Sequence, residues 1–141
     1  MARELKESER TADGLYNLTG FTGAVRYMAP EVGLGKPYNE KGDVYSWSML
    51  MWYMLALEPP FGLYSEKMLA ERVFKRGYRP QVFNRWPAAV SDLIKQAWHE
   101  DIAERPSFQE ISRVLKQEVF ASNSKLPPTA VSQESMTGIA E

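Results

Sequence analysis

The chain has 141 residues, 44% of them hydrophobic and 12% aromatic, which is enough for one domain with a buried core and excludes disorder throughout. Its 17 Lys and Arg against 18 Asp and Glu leave a formal charge of -1, and no basic stripe is read along it, so neither nucleic acid nor a membrane surface is an expected partner. The absence of cysteine and the single histidine, His99, argue against disulfides, thiolate chemistry and a zinc site. The charge-dense start MARELKESER lacks the apolar core of a signal peptide, so an intracellular, cytoplasmic protein is expected.

Residues 1–26 mix charges, hydroxyls and Gly14, Gly20 and Gly23 with no sustained period, which predicts a long loop. In RYMAPEV, Pro30 suits the first turn of a short helix, where its missing N–H costs nothing, and Glu31 suits the helix's positive end. From Val44 to Leu57, VYSWSMLMWYMLAL is apolar except at Ser46 and Ser48, so no polar stripe exists at any helical angle. The pattern predicts a core helix buried all round, with Trp47, Leu50, Met51, Met54 and Leu55 almost inaccessible. A membrane span would need about 20 apolar residues, more than this run has. Asp43 is placed as its N-cap and Glu58-Pro59-Pro60 as its stop.

Ser65 to Arg76 carries Leu69 with Val73 and Ala70 with Phe74 at i, i+4 spacing and ends at Gly77, predicting an amphipathic helix closed by a left-handed residue. Ser91 leads a helix with Leu93, Ile94, Ala97 and Trp98 on one face. After the loop HEDIAERP, Ser107-x-x-Glu110 reads as a capping box before Phe108, Ile111, Val114, Leu115 and Val119 at helical spacing. Beyond Phe120 the composition turns to Ser, Thr, Pro and Gln, so residues 121–141 read as a disordered tail. With no strand alternation, the fold class is mainly α, four or five helices around one apolar helix.

Four stretches carry a resemblance: Gly23-Ala-Val-Arg-Tyr-Met-Ala-Pro-Glu31, Asp43-Val-Tyr-Ser-Trp47, Pro59-Pro-Phe61 and Glu104-Arg-Pro-Ser-Phe108. In this order and spacing, from about Ala2 to Val119, the chain resembles the C-terminal lobe of eukaryotic protein kinases, and most of all the tyrosine-kinase-like group, many of whose members act on serine and threonine. The resemblance implies an incomplete kinase domain over 1–120, with 1–26 as activation segment and 27–120 as helical subdomain. It implies a buried ion pair between Glu31 and Arg105, able to be bidentate. It gives Asp43 a second role, accepting backbone hydrogen bonds from a catalytic loop.

By the same resemblance, Gly23, Ala24, Val25, Arg26 and Tyr27 form the turn that receives the protein substrate. Ala24 stands where the family usually has threonine or serine, which leaves the choice between Ser/Thr and Tyr open. Among Ser8, Thr11, Tyr16, Thr19 and Thr22, the last two lie nearest that turn and are the candidate regulatory phosphorylation sites. The Gly-rich loop, strand lysine, H-R-D and D-F-G that serve ATP and Mg in kinases have no counterpart here: Gly33-Leu-Gly35 lacks the third glycine, and Asp13-Gly14 reads as a turn. His99 reads as surface or second-layer packing.

The opening Ala2-Arg-Glu-Leu5 looks like the residues that follow D-F-G in relatives, so the chain is expected to start just after that motif. The implied function is the C-terminal part of a kinase that moves the ATP γ-phosphate to protein Ser or Thr. ATP and Mg then belong to the full-length enzyme, while this chain holds no catalytic residue, binds no metal and is inert alone. Its apolar floor near Tyr45 and Trp52 is expected to meet water. The alternative is a non-catalytic kinase-like helical module that binds a partner or substrate, and the coding sequence upstream of Met1 distinguishes the two.

Overall fold

The structure, a computed structural model, describes residues 24–125, and every described element is helical. The expectations for Gly23, Thr19, Thr22 and the rest of 1–23, and for the tail beyond residue 125, lie outside the described residues. A 3-10 turn at Val25–Tyr27 leads into α1 (Pro30–Gly33), α2 (Lys41–Ala56) and α3 (Glu66–Met68), which continues as a π-helix over Leu69–Lys75. Then come α4 (Ala88–Ala97), a 3-10 turn at Ile102–Glu104, and α5 (Phe108–Lys125). No helix of the described residues is long and apolar enough to cross a membrane.

α2 is the element on which α4 and the 24–29 segment pack. Its Tyr45, Met49 and Trp52 join Trp86, Val90, Ile94 and Trp98 in the main core, while Val44 joins Leu93, Ala97 and Ile111 in a second cluster against α5. Trp52 also donates its indole N–H to the Gln81 carbonyl at 2.8 Å, so its one polar atom is satisfied.

Burial all round is not what α2 shows. Leu50 is 48% exposed and Met54 59%, and with Tyr53 and Leu57 they form one exposed stripe at i, i+3, i+4, i+7 spacing. Trp47, Met51 and Leu55 are half-buried. The floor near Tyr45 and Trp52, expected to be wet, is dry, at 0% and 5% exposure. A helix apolar on every face carries no sequence signal for which face its neighbours cover, and α4 and the Val82 to Trp86 loop have taken the Tyr45–Trp52 side.

Two helix starts also differ. α2 begins at Lys41, two residues before Asp43, with Glu40 in the N-cap position and the Asn39 side-chain oxygen one residue further out accepting the Lys41 N–H at 2.9 Å. Asp43 is therefore a first-turn residue, exposed and favoured by the helix dipole, and not the N-cap. α4 begins at Ala88, since the Pro87 carbonyl already accepts the Ser91 N–H, and Ser91 ends up buried inside it. α3 starts as the sequence predicts, with the Ser65 hydroxyl accepting from Met68, and its π-helical part closes at Gly77 with φ 74°. In α5 the Ser107 hydroxyl accepts the Glu110 N–H at 3.1 Å. The helix runs on to Lys125, past the boundary set by composition at Phe120.

α2 ends on an unusual residue. Leu57 takes the left-handed conformation (φ 61°) that glycine normally supplies at a helix end, with its side chain 87% exposed. A left-handed L-residue costs roughly 1–2 kcal/mol, and Leu57 buries nothing to offset it. Leu57→Gly should therefore stabilise the fold by about 1 kcal/mol, read as a higher urea midpoint at unchanged slope.

Candidate functional site

The site grows from a proline and a carboxylate. Pro30 holds the first position of α1, so Glu31 enters at the second with its backbone fixed, and its side chain points at the loop before α5. There Arg105 meets it with both arms: Nη1 lies 2.6 Å from Oε1 and Nη2 3.0 Å from Oε2. Both side chains are buried, Arg105 at 2% and Glu31 at 7% exposure. Two further donors of Arg105 are used as well, Nε to the His99 carbonyl and Nη1 to the Lys41 carbonyl, while Lys41 Nζ donates back to the Arg105 carbonyl at 2.7 Å. A guanidinium so enclosed satisfies its desolvation cost with four hydrogen bonds to three elements.

Tyr45 of α2 lies beneath. The guanidiniums of Arg105 and Arg79 sit 5.2 Å and 5.0 Å from its ring centre, within cation–π range. Burial pushes the Tyr45 phenol up to about 12, Arg79 and Arg105 pulling the other way and Glu31 adding to the rise. Its hydroxyl has no hydrogen-bond partner among the described residues.

Upstream of α1, Ala24 to Tyr27 form a tight turn closed by Tyr27 N–H to the Ala24 carbonyl at 3.1 Å. Arg26 does more than face outward from it. Its Nη1 donates to the Pro60 carbonyl at 3.2 Å and to the Phe61 carbonyl, and its Nη2 to the Tyr64 carbonyl at 3.5 Å. One side chain thus fixes the 24–27 turn to the loop after α2, where Phe61 adopts φ 54°. Tyr27 is half-buried, and burial first and Tyr53 second push its phenol up, against Arg26. His99 is exposed, and its Nδ1 accepts the Asp101 N–H at 2.9 Å, a loop-shaping role.

The same residues match a family over most of the chain. The model for protein tyrosine and serine/threonine kinases aligns with residues 1–115. The chain belongs to the protein kinase family. It is 35% identical over 100 residues to the serine/threonine-protein kinase STY17 of Arabidopsis thaliana, covering 71% of this chain and 18% of that protein. It is 41% identical over 98 residues to the dual specificity protein kinase zakA of Dictyostelium discoideum, covering 67% of this chain and 12% of that one. With the serine/threonine-protein kinase VIK of Arabidopsis thaliana it shares 38% over 103 residues, 72% of this chain and 23% of that protein. The chain thus spans less than a quarter of each of these relatives, whose names agree with the tyrosine-kinase-like resemblance of the motifs.

Kinase chemistry needs ATP and a divalent metal, and the described residues of this kinase-family chain do not fit either group. No three His, Asp or Glu side chains among them converge as a metal site would require. The Gly33 to Gly35 stretch offers no phosphate cradle, since a Cβ at Gly33 would lie 2.3 Å from the Phe74 ring: that glycine makes room for the π-helical continuation of α3. What the site can do is hold a turn rigidly. Sequence reasoning brought out Glu31 and Arg105 but missed Lys41, Tyr45 and Arg79, which interact through backbone carbonyls or a ring face and so leave no spacing signature.

Two outcomes test this geometry. Glu31→Ala should destabilise by about 3–5 kcal/mol, because Arg105 is left buried and unpaired, while the double variant Glu31→Leu with Arg105→Met should regain part of the loss in urea unfolding. The regain is partial because the His99 and Lys41 carbonyls then lose their donor. For Tyr45 the folded phenol titrates above the unfolded one near 10, so its contribution is fully present below pH 10 and is lost as pH rises towards 12. Tyr45→Phe should flatten that alkaline loss and, by removing an unpaired buried hydroxyl, leave stability at pH 7 equal or higher.

Proposed function

We propose that this chain is the substrate-side helical part of a protein kinase that transfers the ATP γ-phosphate to Ser or Thr of a protein, with Tyr as the other possible acceptor. In this reading 1–120 belongs to the kinase domain, Gly23 to Tyr27 receive the substrate, and Glu31 with Arg105 hold that turn in place. Thr19 and Thr22 are the regulatory phosphorylation sites, and ATP and Mg are held by groups that this sequence does not contain.

The observation that carries the reading is the exposed stripe of α2. Asp43 heads it, seven residues before Leu50, so an exposed carboxylate and the exposed Leu50 and Met54 share one helix face. Such a face suits a backbone segment that donates N–H groups to Asp43 and lays apolar side chains along the stripe, as a kinase catalytic loop would. The stripe also speaks against the independent helical module, because a monomer seldom leaves a run of large apolar groups in water.

Calorimetry of the 141-residue chain with ATP and Mg²⁺ should give no measurable heat of binding, and no phosphate should reach a generic protein acceptor. Joined to an upstream sequence carrying a Gly-rich loop, H-R-D and D-F-G, the chain should gain ATP binding and transfer. Saturable micromolar ATP binding by the 141 residues alone would overturn the proposal, because their described part offers no phosphate cradle.

A further inference from the structure

The charge of this chain is unevenly placed. Between Phe61 and Arg85 stand six Lys or Arg against two Glu, a surplus of four in a chain whose formal charge is -1. α3 and its π-helical continuation turn this surplus outward. Leu69 and Val73 are buried at 2% exposure and Phe74 packs against Gly33, which leaves Lys67, Arg72, Lys75 and Arg76 exposed on the other side. Among the described residues, Lys75 alone of these four meets a carboxylate, Glu71 at 2.7 Å. The Glu71 carboxylate is held below its usual range by Lys75 first, with Arg76 and Lys67 also contributing, so it sits in a positive field.

Beside these cations stands an apolar knob. Leu63 is 97% exposed, in a loop whose shape is fixed by its neighbours. Phe61 and Tyr64 on either side of it in sequence stack at 5.2 Å, the Arg72 guanidinium lies 5.2 Å from the Tyr64 ring, and Arg26 grips the carbonyls of Pro60, Phe61 and Tyr64. A lone exposed leucine means little. One on a loop fixed by Arg26 and by the Phe61–Tyr64 stack, with the Arg72 guanidinium over that stack and the exposed Lys67 and Arg76 on the helix that follows, has the parts of a small interface: an apolar centre and charged neighbours.

We propose that the loop 57–64 and the outer face of α3 form a docking surface for an acidic segment of a protein substrate, with one large apolar side chain of that segment seated on Leu63 and carboxylates paired to Lys67, Arg72 and Arg76. The assignment of the partner as substrate rests on reading residues 23–27 as the substrate turn; the docking surface itself does not. A protein segment fits better than a lipid or nucleic-acid surface because Glu66 and Glu71 interrupt the cations and would face the phosphates. Discrete carboxylates on a flexible peptide can avoid them.

The test uses the 141-residue chain and a fluorescein-labelled peptide of glutamates flanking a central phenylalanine, followed by anisotropy without ATP. Saturable binding is expected, weakening at least about tenfold between roughly 50 and 300 mM salt as screening shortens. Arg72→Glu with Arg76→Glu should weaken it by about tenfold or more, Leu63→Asp should weaken it independently, and Lys95→Glu on α4 should leave it unchanged. Because Leu63 touches almost nothing, its variant reads binding free of any folding defect. Equal binding by both variants, equal binding of a peptide with serine in place of glutamate, or displacement of the peptide by phosphatidylserine vesicles would each overturn the proposal. The readout involves no phosphate transfer, so a failed transfer assay leaves this result standing and failed docking leaves the kinase reading standing.

Discussion

A carboxylate and a guanidinium that leave water together need each other, and the Glu31–Arg105 pair makes that need organise the chain. The two residues are separated by 74 positions yet meet bidentately at 2.6 and 3.0 Å. Once Arg105 is buried, every other group near it is constrained to supply an acceptor or a ring face. The Lys41 carbonyl at the start of α2, the His99 carbonyl after α4 and the ring of Tyr45 all turn towards it. A buried pair of this kind adds little net stability compared with apolar packing, but it tolerates few alternative arrangements, so its contribution is to geometry. Through it α1, α2 and the approach to α5 share one fixed point.

From that point the functional geometry extends outward in two steps. Pro30 and Glu31 set where the backbone leaves α1, and Arg26, five residues earlier, sets where it arrives by gripping three carbonyls of the loop after α2. The 24–27 turn therefore hangs between two arginines, one buried in the core and one lying across a loop. Under the proposed function that turn receives the substrate, and rigid placement is what phosphoryl transfer would ask of it, since the reaction depends on positioning more than on covalent chemistry. The left-handed Leu57 and Phe61 mark the ends of the bend that carries this loop, with the strain paid where the loop must turn back to meet Arg26.

Much of this was legible in the residues. Pro30, Ser65, Gly77 and Ser107 mark helix ends by side-chain or φ chemistry that acts locally, and local chemistry is what a sequence displays. The pairing of Glu31 with Arg105 was legible only through the family's motif, because a contact across 74 residues has no periodicity. The covered face of α2 was not legible at all: with apolar residues on every side, only the positions of α4 and the loop before it decide. Asp43 was misplaced as the cap because α2 starts two residues earlier, where Asn39 accepts the Lys41 N–H and lets the first turn form ahead of it. The basic face of α3 was hidden by averaging, its surplus cancelled by acids elsewhere in a chain of charge -1.

Amide hydrogen exchange in the Arg105→Met variant measures the organising role of the pair most directly. The Lys36 N–H, bonded to the Glu31 carbonyl at 2.8 Å, and the Leu34 N–H, bonded to the Pro30 carbonyl at 2.9 Å, report on α1. If the pair fixes the geometry of α1, these amides should lose protection by about tenfold or more in the variant, while those of α4 around Ile94 keep theirs relative to the global stability. Equal protection of α1 in both proteins, or loss spread evenly over α1 and α4, would contradict the account, because the pair would then be one more contribution to stability and not the point from which the 24–27 turn is positioned.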